Sequence, residues 1–400
     1  MRKLITVLVL LTTLTSLSQD SLNVTHTFES TAFEKERTVY VHLPEAYFER
    51  PDTEFGVVYV LDAQAPAFFN NVKDNIDYLV WSYQVMPLIV VGIHSDDRGK
   101  EFIPLDRQLT DDDPDNYGTA HLLSQHFEQE VFPLIANQYR VNSFRAIIGH
   151  SRGGAFIANT IFSDQRDMFN AYLAISPGMR YLDGQLLADA EKWISQGTDF
   201  HSFYYCSHGT VGTLEHENAK SVSHLDSLWN AHENSTIDWQ TQSMEGTSHW
   251  GVVAPSVTYG ILAMSRAYQV DQYLIETFCE NDDMLMEEQI NAYYARQQNR
   301  LGYTLPLHAA DLRYYAGDLA EEENYNRGLE LINMAIGLDS KNMNGYFSKG
   351  WMLQQMGRTE DARENYKAAL LVLKGQESDL PQKKFESYQS EIEKQLKKLE

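Results

Sequence analysis

Between Thr25 and about Arg266 the chain alternates short β-rich runs with longer stretches in which apolar residues return at helical spacing. The runs are Thr38 to Leu43, Val57 to Leu61, Leu88 to Ile93, Arg145 to Ile148, Ala171 to Ile175, Ser202 to Cys206 and Thr236 to Met244. Strand and helix in alternation predict an α/β domain with a mostly parallel sheet and helices on both faces. Val57-Val58-Tyr59-Val60-Leu61 and Leu88-Ile89-Val90-Val91 lack the polar positions of a strand with one wet face, so they are expected at the sheet centre. Amphipathic stretches around His121 to Gln138 and Asn218 to His232 supply two of the covering helices.

Beyond about Tyr268 the β signals stop, and Gln289 to Glu400 has an almost wholly helical pattern. From about Ala309 to Lys374 it repeats every 34 residues, pairing Leu312 with Tyr346, Ala316 with Gly350, Leu319 with Leu353, Gly328 with Ala362, Ile332 with Tyr366 and Ala335 with Ala369. Small residues recur where antiparallel helices must approach closely, and large apolar ones recur between them. This all-α region resembles tetratricopeptide repeats, more strongly in its second unit. Two units are fewer than the roughly three that usually stand alone, so Glu386 to Leu399 is expected to cap the stack, or the array leans on the α/β domain. The predicted organisation is a leader at 1–19, an α/β domain at 20–268, a helical linker at 269–308, repeats at 309–375 and a capping helix at 376–400.

The leader is inferred from Arg2 and Lys3, the apolar stretch from Leu4 to Leu11, and small polar residues from Thr12 to Ser18. That is the shape of a signal peptide, and the apolar stretch falls short of the roughly 20 residues of a membrane-spanning helix. Cleavage is expected near Ser18 or Gln19, giving an exported protein, periplasmic or secreted, with no stable membrane span. Composition adds exclusions. With 43% hydrophobic residues the chain is neither disordered nor a membrane bundle, and 32 Lys and Arg against 56 Asp and Glu give a net charge of −24, which argues against nucleic acid as a partner. Cys206 and Cys279 are the only cysteines; they fit a sparse-thiol enzyme better than a disulfide scaffold, with one bridge between them left open.

The chemistry centres on Gly149-His150-Ser151-Arg152-Gly153, a G-x-S-x-G sequence between an apolar run and a helix-like segment. Strand, sharp turn and helix are the context in which such a serine is lifted clear of the sheet, and the flanking glycines are expected to be there because side chains would collide. A serine hydroxyl needs a histidine to take its proton and a carboxylate to orient that histidine. Among thirteen histidines, His249 stands in a loop expected after the last strand run, where such a base belongs. The turn His208 to Gly212 leads to Glu215, the favoured acid, with Glu217 and Asp226 as rivals. Backbone donors for the oxyanion are expected at Arg152 and at Gln64, with Ala63 close behind.

Together with these residues, Tyr59-Val60-Leu61-Asp62, Ile89-Val90-Val91-Gly92-Ile93 followed by Arg98 and Pro104, and Phe169-Asn170-Ala171-Tyr172 leading to Ile175-Ser176-Pro177 make residues 25 to 265 resemble the putative-esterase family of α/β-hydrolases, which includes siderophore trilactone esterases and relatives of esterase D and feruloyl esterases. The resemblance implies the α/β-hydrolase fold and serine carboxylester hydrolysis without metal or organic cofactor, with the triad at Ser151, Glu215 and His249. The chain departs from the family at Ala63, where glycine is frequent, and at Met179-Arg180-Tyr181, where an aromatic pair often follows Ser-Pro.

Other signals are weaker. Phe68, Phe69, Tyr181 and Trp250 flank the site in sequence, and Tyr181 and Trp250 are the candidate substrate contacts. The acidic run Thr110 to Asp115 lacks an EF-hand spacing and is expected to be a solvated loop. His216, His224 and His232 recur every eight residues, which rotates them off a common helix face and argues against a shared zinc site. Two alternatives stand beside the esterase acting on a small-molecule ester: a protein that binds a protein partner through the repeats on a vestigial hydrolase scaffold, and a thioesterase or peptidase using the same triad.

Overall fold

A computed structural model describes residues 22–110, 112–113, 118–196, 200–231, 236–281, 283–378 and 380–400. The predicted leader, part of the acidic run and His232 lie outside the described residues.

The described chain enters as an antiparallel hairpin, β1 (Asn23–Ser30) and β2 (Lys35–His42). The sequence expectations contain no β1. Val24 and Phe28 are its only strongly apolar residues, separated by polar ones, as suits an edge strand with one wet face. A turn of helix, α1 (Ala46–Glu49), leads to β3 (Phe55–Val60), α2 (Pro66–Trp81), β4 (Leu88–Ile93) and a second single turn, α3 (Arg98–Glu101). The stretch predicted from His121 to Gln138 is helical, as α4 (Ala120–His126), a π-helical turn (Phe127–Val131) and α5 (Phe132–Gln138). Then follow β5 (Val141–His150), α6 (Arg152–Ile161), β6 (Ala171–Ile175), α7 (Tyr181–Gln196), β7 (Ser202–Val211), α8 (Thr213–Ala231), β8 (Ile237–Ser248) and α9 (Val253–Tyr268).

These strands form one eight-stranded sheet in the order β1-β2-β4-β3-β5-β6-β7-β8. Pairing is antiparallel from β1 through β2 to β4 and parallel across the rest. Every residue of β3 and β4 is buried, as their unbroken apolar runs predict. Alternate side chains enter different cores. Val57, Tyr59, Ile89 and Ile147 pack with Phe127 and Phe156 on one face, while Val58, Val60, Val90 and Ile148 pack with Val72, Ile76 and Ile261 on the other. Each such side chain contributes about 1.5–3 kcal/mol through its removal from water.

Strands β7 and β8 run past the predicted ends at Cys206 and Met244. Their extensions carry polar residues, because the ladder is held by backbone groups, and the pairing slips between Gly209 and Val211. The loop expected at Gly246-Thr247-Ser248 is instead this irregular strand end. Among the described residues no helix is long and apolar enough to cross a membrane.

The rest is helical: α10 (Gln272–Cys279), α11 (Met286–Leu301), α12 (Ala309–Glu321), α13 (Tyr325–Leu338), α14 (Met343–Gln355), α15 (Thr359–Lys374) and α16 (Gln382–Lys398). Helix α12 packs on α13, α14 on α15 and α16 on α15. The small residues lie where helices touch: a Cβ on Gly350 would stand 2.9 Å from the Tyr366 ring, and one on Gly328 would stand 3.2 Å from the Ala316 carbonyl oxygen. Helix α11 belongs to two cores. Met286, Ile290 and Tyr293 pack with the helical region, whereas Leu301, followed by Leu305, packs beneath the sheet. Tyr83 of the sheet region stacks on Tyr314 of α12 with centroids 4.2 Å apart. No disulfide joins Cys206 and Cys279.

Candidate active site

Strand β5 delivers the chain to Ser151, whose φ of 58° and ψ of −109° separate the strand from α6. Such a conformation in a residue other than glycine costs about 1–3 kcal/mol and persists only where its surroundings impose it. Here the Ser151 amide donates to the Ile175 carbonyl at 2.9 Å, while its own carbonyl accepts from Ala155 at 2.9 Å and Gly178 at 3.2 Å. Of the two glycines flanking Ser151, only Gly149 is required by close contact. A Cβ on Gly149 would stand 2.8 Å from the Gly153 carbonyl carbon, but one on Gly153 would meet nothing nearer than the Leu61 side chain at 3.5 Å, an ordinary contact. The second tight position is Gly154, whose Cβ would stand 2.9 Å from Pro177 Cα.

His249 directly follows β8, and its imidazole bridges two groups. Nε2 is 3.0 Å from Ser151 Oγ, and Nδ1 is 2.5 Å from Glu215 Oε1. Glu215 lies in the first turn of α8 and is fully buried. Burial alone would raise its carboxyl, yet hydrogen bonds from His249, Ser176 and the Gly209 amide outweigh that penalty and hold it at about 2. The rival acids are engaged elsewhere. Glu217 pairs with Arg180 and Lys220 at the surface, and Asp226 accepts from Trp239 Nε1 at 3.1 Å and Thr241 Oγ1 at 3.0 Å.

Two residues of this cluster were not found from sequence. The buried Ser176 Oγ donates to Glu215 Oε1 at 2.6 Å, and Asn218 Nδ2 donates to Ser176 Oγ at 2.8 Å. A glycine is also required at 209, since a Cβ there would stand 3.0 Å from both Glu215 Oε2 and Thr247 Oγ1 and closer still to the Thr247 carbonyl. The Ser176-Pro177 pair marked the strand end, but nothing in its pattern pointed to the acid.

Opposite the histidine, the loop after β3 begins with Asp62 at a φ of 62°. Arg98 grips its carboxylate through Nε at 2.7 Å and Nη2 at 2.9 Å. Gln64 bonds Asp62 Oδ1 through Nε2 at 2.8 Å and accepts the Ser95 amide at 2.9 Å. The Ala63 amide is already committed to the Ile93 carbonyl at 3.0 Å. Among the described residues, the Gln64 and Arg152 amides have no protein acceptor.

Around this centre, Trp250 is 75% exposed, with its ring 5.8 Å from that of His249 and 5.3 Å from that of His150. Tyr181 opens α7 and lies under the Arg152 guanidinium at 5.6 Å. Phe68 approaches His150 at 6.4 Å, while Phe69 packs away beside Gly92 and Tyr40. Burial pushes His150 down to about 4, so it is neutral at ordinary pH, and its Nε2 has no partner. His216 bonds the Thr210 carbonyl and His224 pairs with Glu191, so these two face different partners. Among the described residues no group of three or more His, Cys, Asp or Glu is placed to hold a metal ion.

The model of the Putative esterase family matches residues 30–249, more than half of the chain and ending on His249. The chain belongs to that family. It is a family of carboxylic ester hydrolases. A curated relative, the ferri-bacillibactin esterase of Bacillus subtilis strain 168, is 24% identical over 176 residues, covering 40% of this chain and 60% of the relative. The chain thus spans less than two thirds of that relative's length. Among solved structures, an IroE-like serine hydrolase from Shewanella oneidensis is similar with a TM-score of 0.64 and 19% identity, covering 78% of this chain and 98% of that one. An uncharacterised protein from Capnocytophaga ochracea has a TM-score of 0.59 and 14% identity, covering 87% and 93%. At such identities these likenesses speak to fold alone. Each covers more of this chain than its sheet region contains, so the shared fold takes in part of the helical region.

Proposed function

We propose that this chain is a serine carboxylester hydrolase that works through Ser151, His249 and Glu215 and a covalent acyl-enzyme. The observation that carries the reading is the single imidazole within hydrogen-bond reach of both a strained serine and a buried, ionised carboxylate. His249 Nδ1 donates to Glu215, which leaves Nε2 free to accept the Ser151 proton as Oγ attacks the ester carbonyl. The carbonyl π electrons move onto oxygen, and the Arg152 and Gln64 amides receive that oxyanion. When the intermediate collapses, the bond to the alcohol breaks and the alcohol leaves with the proton from His249. Water then attacks the acyl-enzyme, giving its proton to His249, and the acid departs as Ser151 recovers its hydrogen.

The open surroundings of Trp250 and Tyr181 suit a substrate larger than a simple acetate. Kinship with an enzyme named for ferri-bacillibactin puts siderophore esters first in a substrate screen, followed by feruloyl and acetyl esters. We also propose export, on the charged and apolar character of residues 2–18, and a tetratricopeptide-like nature for α12 to α15 with a protein partner as its use. The deciding experiment treats purified protein with a fluorophosphonate probe and locates the label by mass spectrometry. Label on Ser151 together with turnover of p-nitrophenyl esters is the expected result. A folded protein that neither labels nor turns over would reject the enzyme in favour of the partner-binding reading.

A further inference from the structure

Arg152 follows the nucleophile, and its side chain is unlike the other arginines near the site. Arg98 is neutralised by Asp62, and Arg180 is neutralised by Glu217. The Arg152 guanidinium has no carboxylate or carbonyl partner among the described residues and lies over the face of Tyr181, at 5.6 Å. Such a contact attracts a cation to the ring without cancelling its charge. Nearby Asp97 is occupied, accepting the Gly99 amide at 3.0 Å and lying 3.9 Å from Lys100. In a chain of net charge −24, the rim beside the nucleophile therefore holds a positive charge that no carboxylate among the described residues pairs with.

That charge is also held in place. The Tyr181 ring occupies the space over Gly178, where a Cβ would stand within 2.9 Å of Cδ2, so the glycine after Ser176-Pro177 is what lets the ring sit there. On the other side, Arg152 Nη1 lies 3.6 Å from where a Gly99 Cβ would be, so no side chain at 99 screens it. A planar guanidinium without a protein acceptor among the described residues suits a carboxylate, which it can bind through two parallel hydrogen bonds.

We propose that the Arg152 side chain, seated on Tyr181, is a subsite for a carboxylate on the substrate, and that the preferred substrates are esters bearing that second, ionised acid group. The inference rests on the serine esterase reading and adds the class of ester. The carboxylate can belong to the acyl part or to the alcohol part, and two pairs of substrates separate these. Mono-4-nitrophenyl adipate and its methyl ester test the acyl side; 4-acetoxybenzoate and its methyl ester test the leaving-group side. Within each pair the acid carries a charge that the methyl ester lacks.

In the wild-type protein kcat/KM is expected to favour the acid over its methyl ester by about tenfold in one pair, the usual scale of a hydrogen bond to a charged group. Arg152→Gln should bring that ratio to about one, and Arg152→Lys should retain part of it. Taking the ratio within each variant divides out any disturbance of the backbone amide. Tyr181→Leu, which removes the ring beneath the guanidinium, should also reduce the ratio. If both methyl esters are hydrolysed and Ser151 takes the fluorophosphonate label, yet neither acid is preferred or Arg152→Gln leaves the preference intact, the inference is overturned and the esterase reading stands. No turnover of any of the four and no label would overturn that reading and the inference with it.

Discussion

Two places in this molecule bring together a serine, a histidine and a glutamate, and their geometry separates them. At Ser151 the histidine lies between its partners, using Nε2 toward the serine and Nδ1 toward Glu215. In the second cluster, Ser30, His126 and Glu130, one atom serves both partners: His126 Nδ1 is 2.5 Å from Glu130 and 3.4 Å from Ser30 Oγ. Its Nε2 is buried without a partner, with Phe28 and Phe33 against the ring. Ser30 also donates directly to Glu130 at 2.7 Å, and Glu130 accepts the amides of Thr31 and Ala32, so it organises the turn between β1 and β2. A proton relay needs both ring nitrogens in series, one of them beside a substrate. The same three residue types in the second arrangement make a turn.

The largest effect that can break this comparison is on the serines. Ser151→Ala should reduce p-nitrophenyl ester turnover by on the order of 10^4-fold or more and abolish fluorophosphonate labelling, whereas Ser30→Ala should leave turnover within about twofold. Labelling that persists at another serine would refute the assignment of the nucleophile.

The carboxylates come next. Glu215→Gln is expected to lower kcat by on the order of a hundredfold or more with a smaller change in KM, because the amide can hold the imidazole in the wrong tautomer. Glu130→Gln should spare kcat and lower the melting temperature, since two amides lose a charged acceptor. Glu217→Gln and Asp226→Asn serve as controls. If one of them loses turnover while Glu215→Gln does not, the acid must be reassigned.

A smaller effect is expected from Ser176→Ala. Removing its hydrogen bond leaves Glu215 Oε1 free to draw harder on His249. We expect kcat to fall about tenfold, with KM changed less, and the acidic limb of the pH profile to move to higher pH. Ser176→Thr should restore both, and a fall in melting temperature without any movement of the limb would mark Ser176 as merely structural.

The smallest effect is on stability. Burial lowers His150 to about 4 and lowers His126 as well, while the unfolded chain binds both protons below about 6.5. The stability of the neutral forms is therefore fully present above that pH and is lost as pH falls toward 4. Glu215, held at about 2, adds its own loss only below about 4.3, so melts between pH 7 and 5 report the histidines. His126→Phe and His150→Phe should each flatten the slope; an unchanged slope in both would show that neither is held neutral.

Where side chains had to fill a continuous apolar space, the sequence was informative. Unbroken runs gave β3 and β4 as central strands, and a glycine-flanked serine between strand and helix gave the turn at Ser151. The order of serine, acid and histidine led to Glu215 and His249, although the strands before both proved longer than their apolar parts. What stayed hidden depends on backbone or on single polar contacts. β1 is held by a ladder of amides, and Ser176 and Asn218 are ordinary polar residues until folding stacks them behind Glu215. Ala63 and Gln64 could be separated only by where their amides go.

The double membership of α11 has a consequence for how the molecule comes apart. Leu301 and Leu305 fill space under the sheet, the Leu305 amide bonds the Tyr268 carbonyl, and Arg300 pairs with Asp238, while the first turns of the same helix are sealed in the core of the helical region. A rod embedded at both ends transmits loss of order from one body to the other, so the helical region is not a detachable appendage. The two parts should melt together in a single calorimetric transition, and a protease cut near Leu301 should unseat the sheet's underside as well as the helical region.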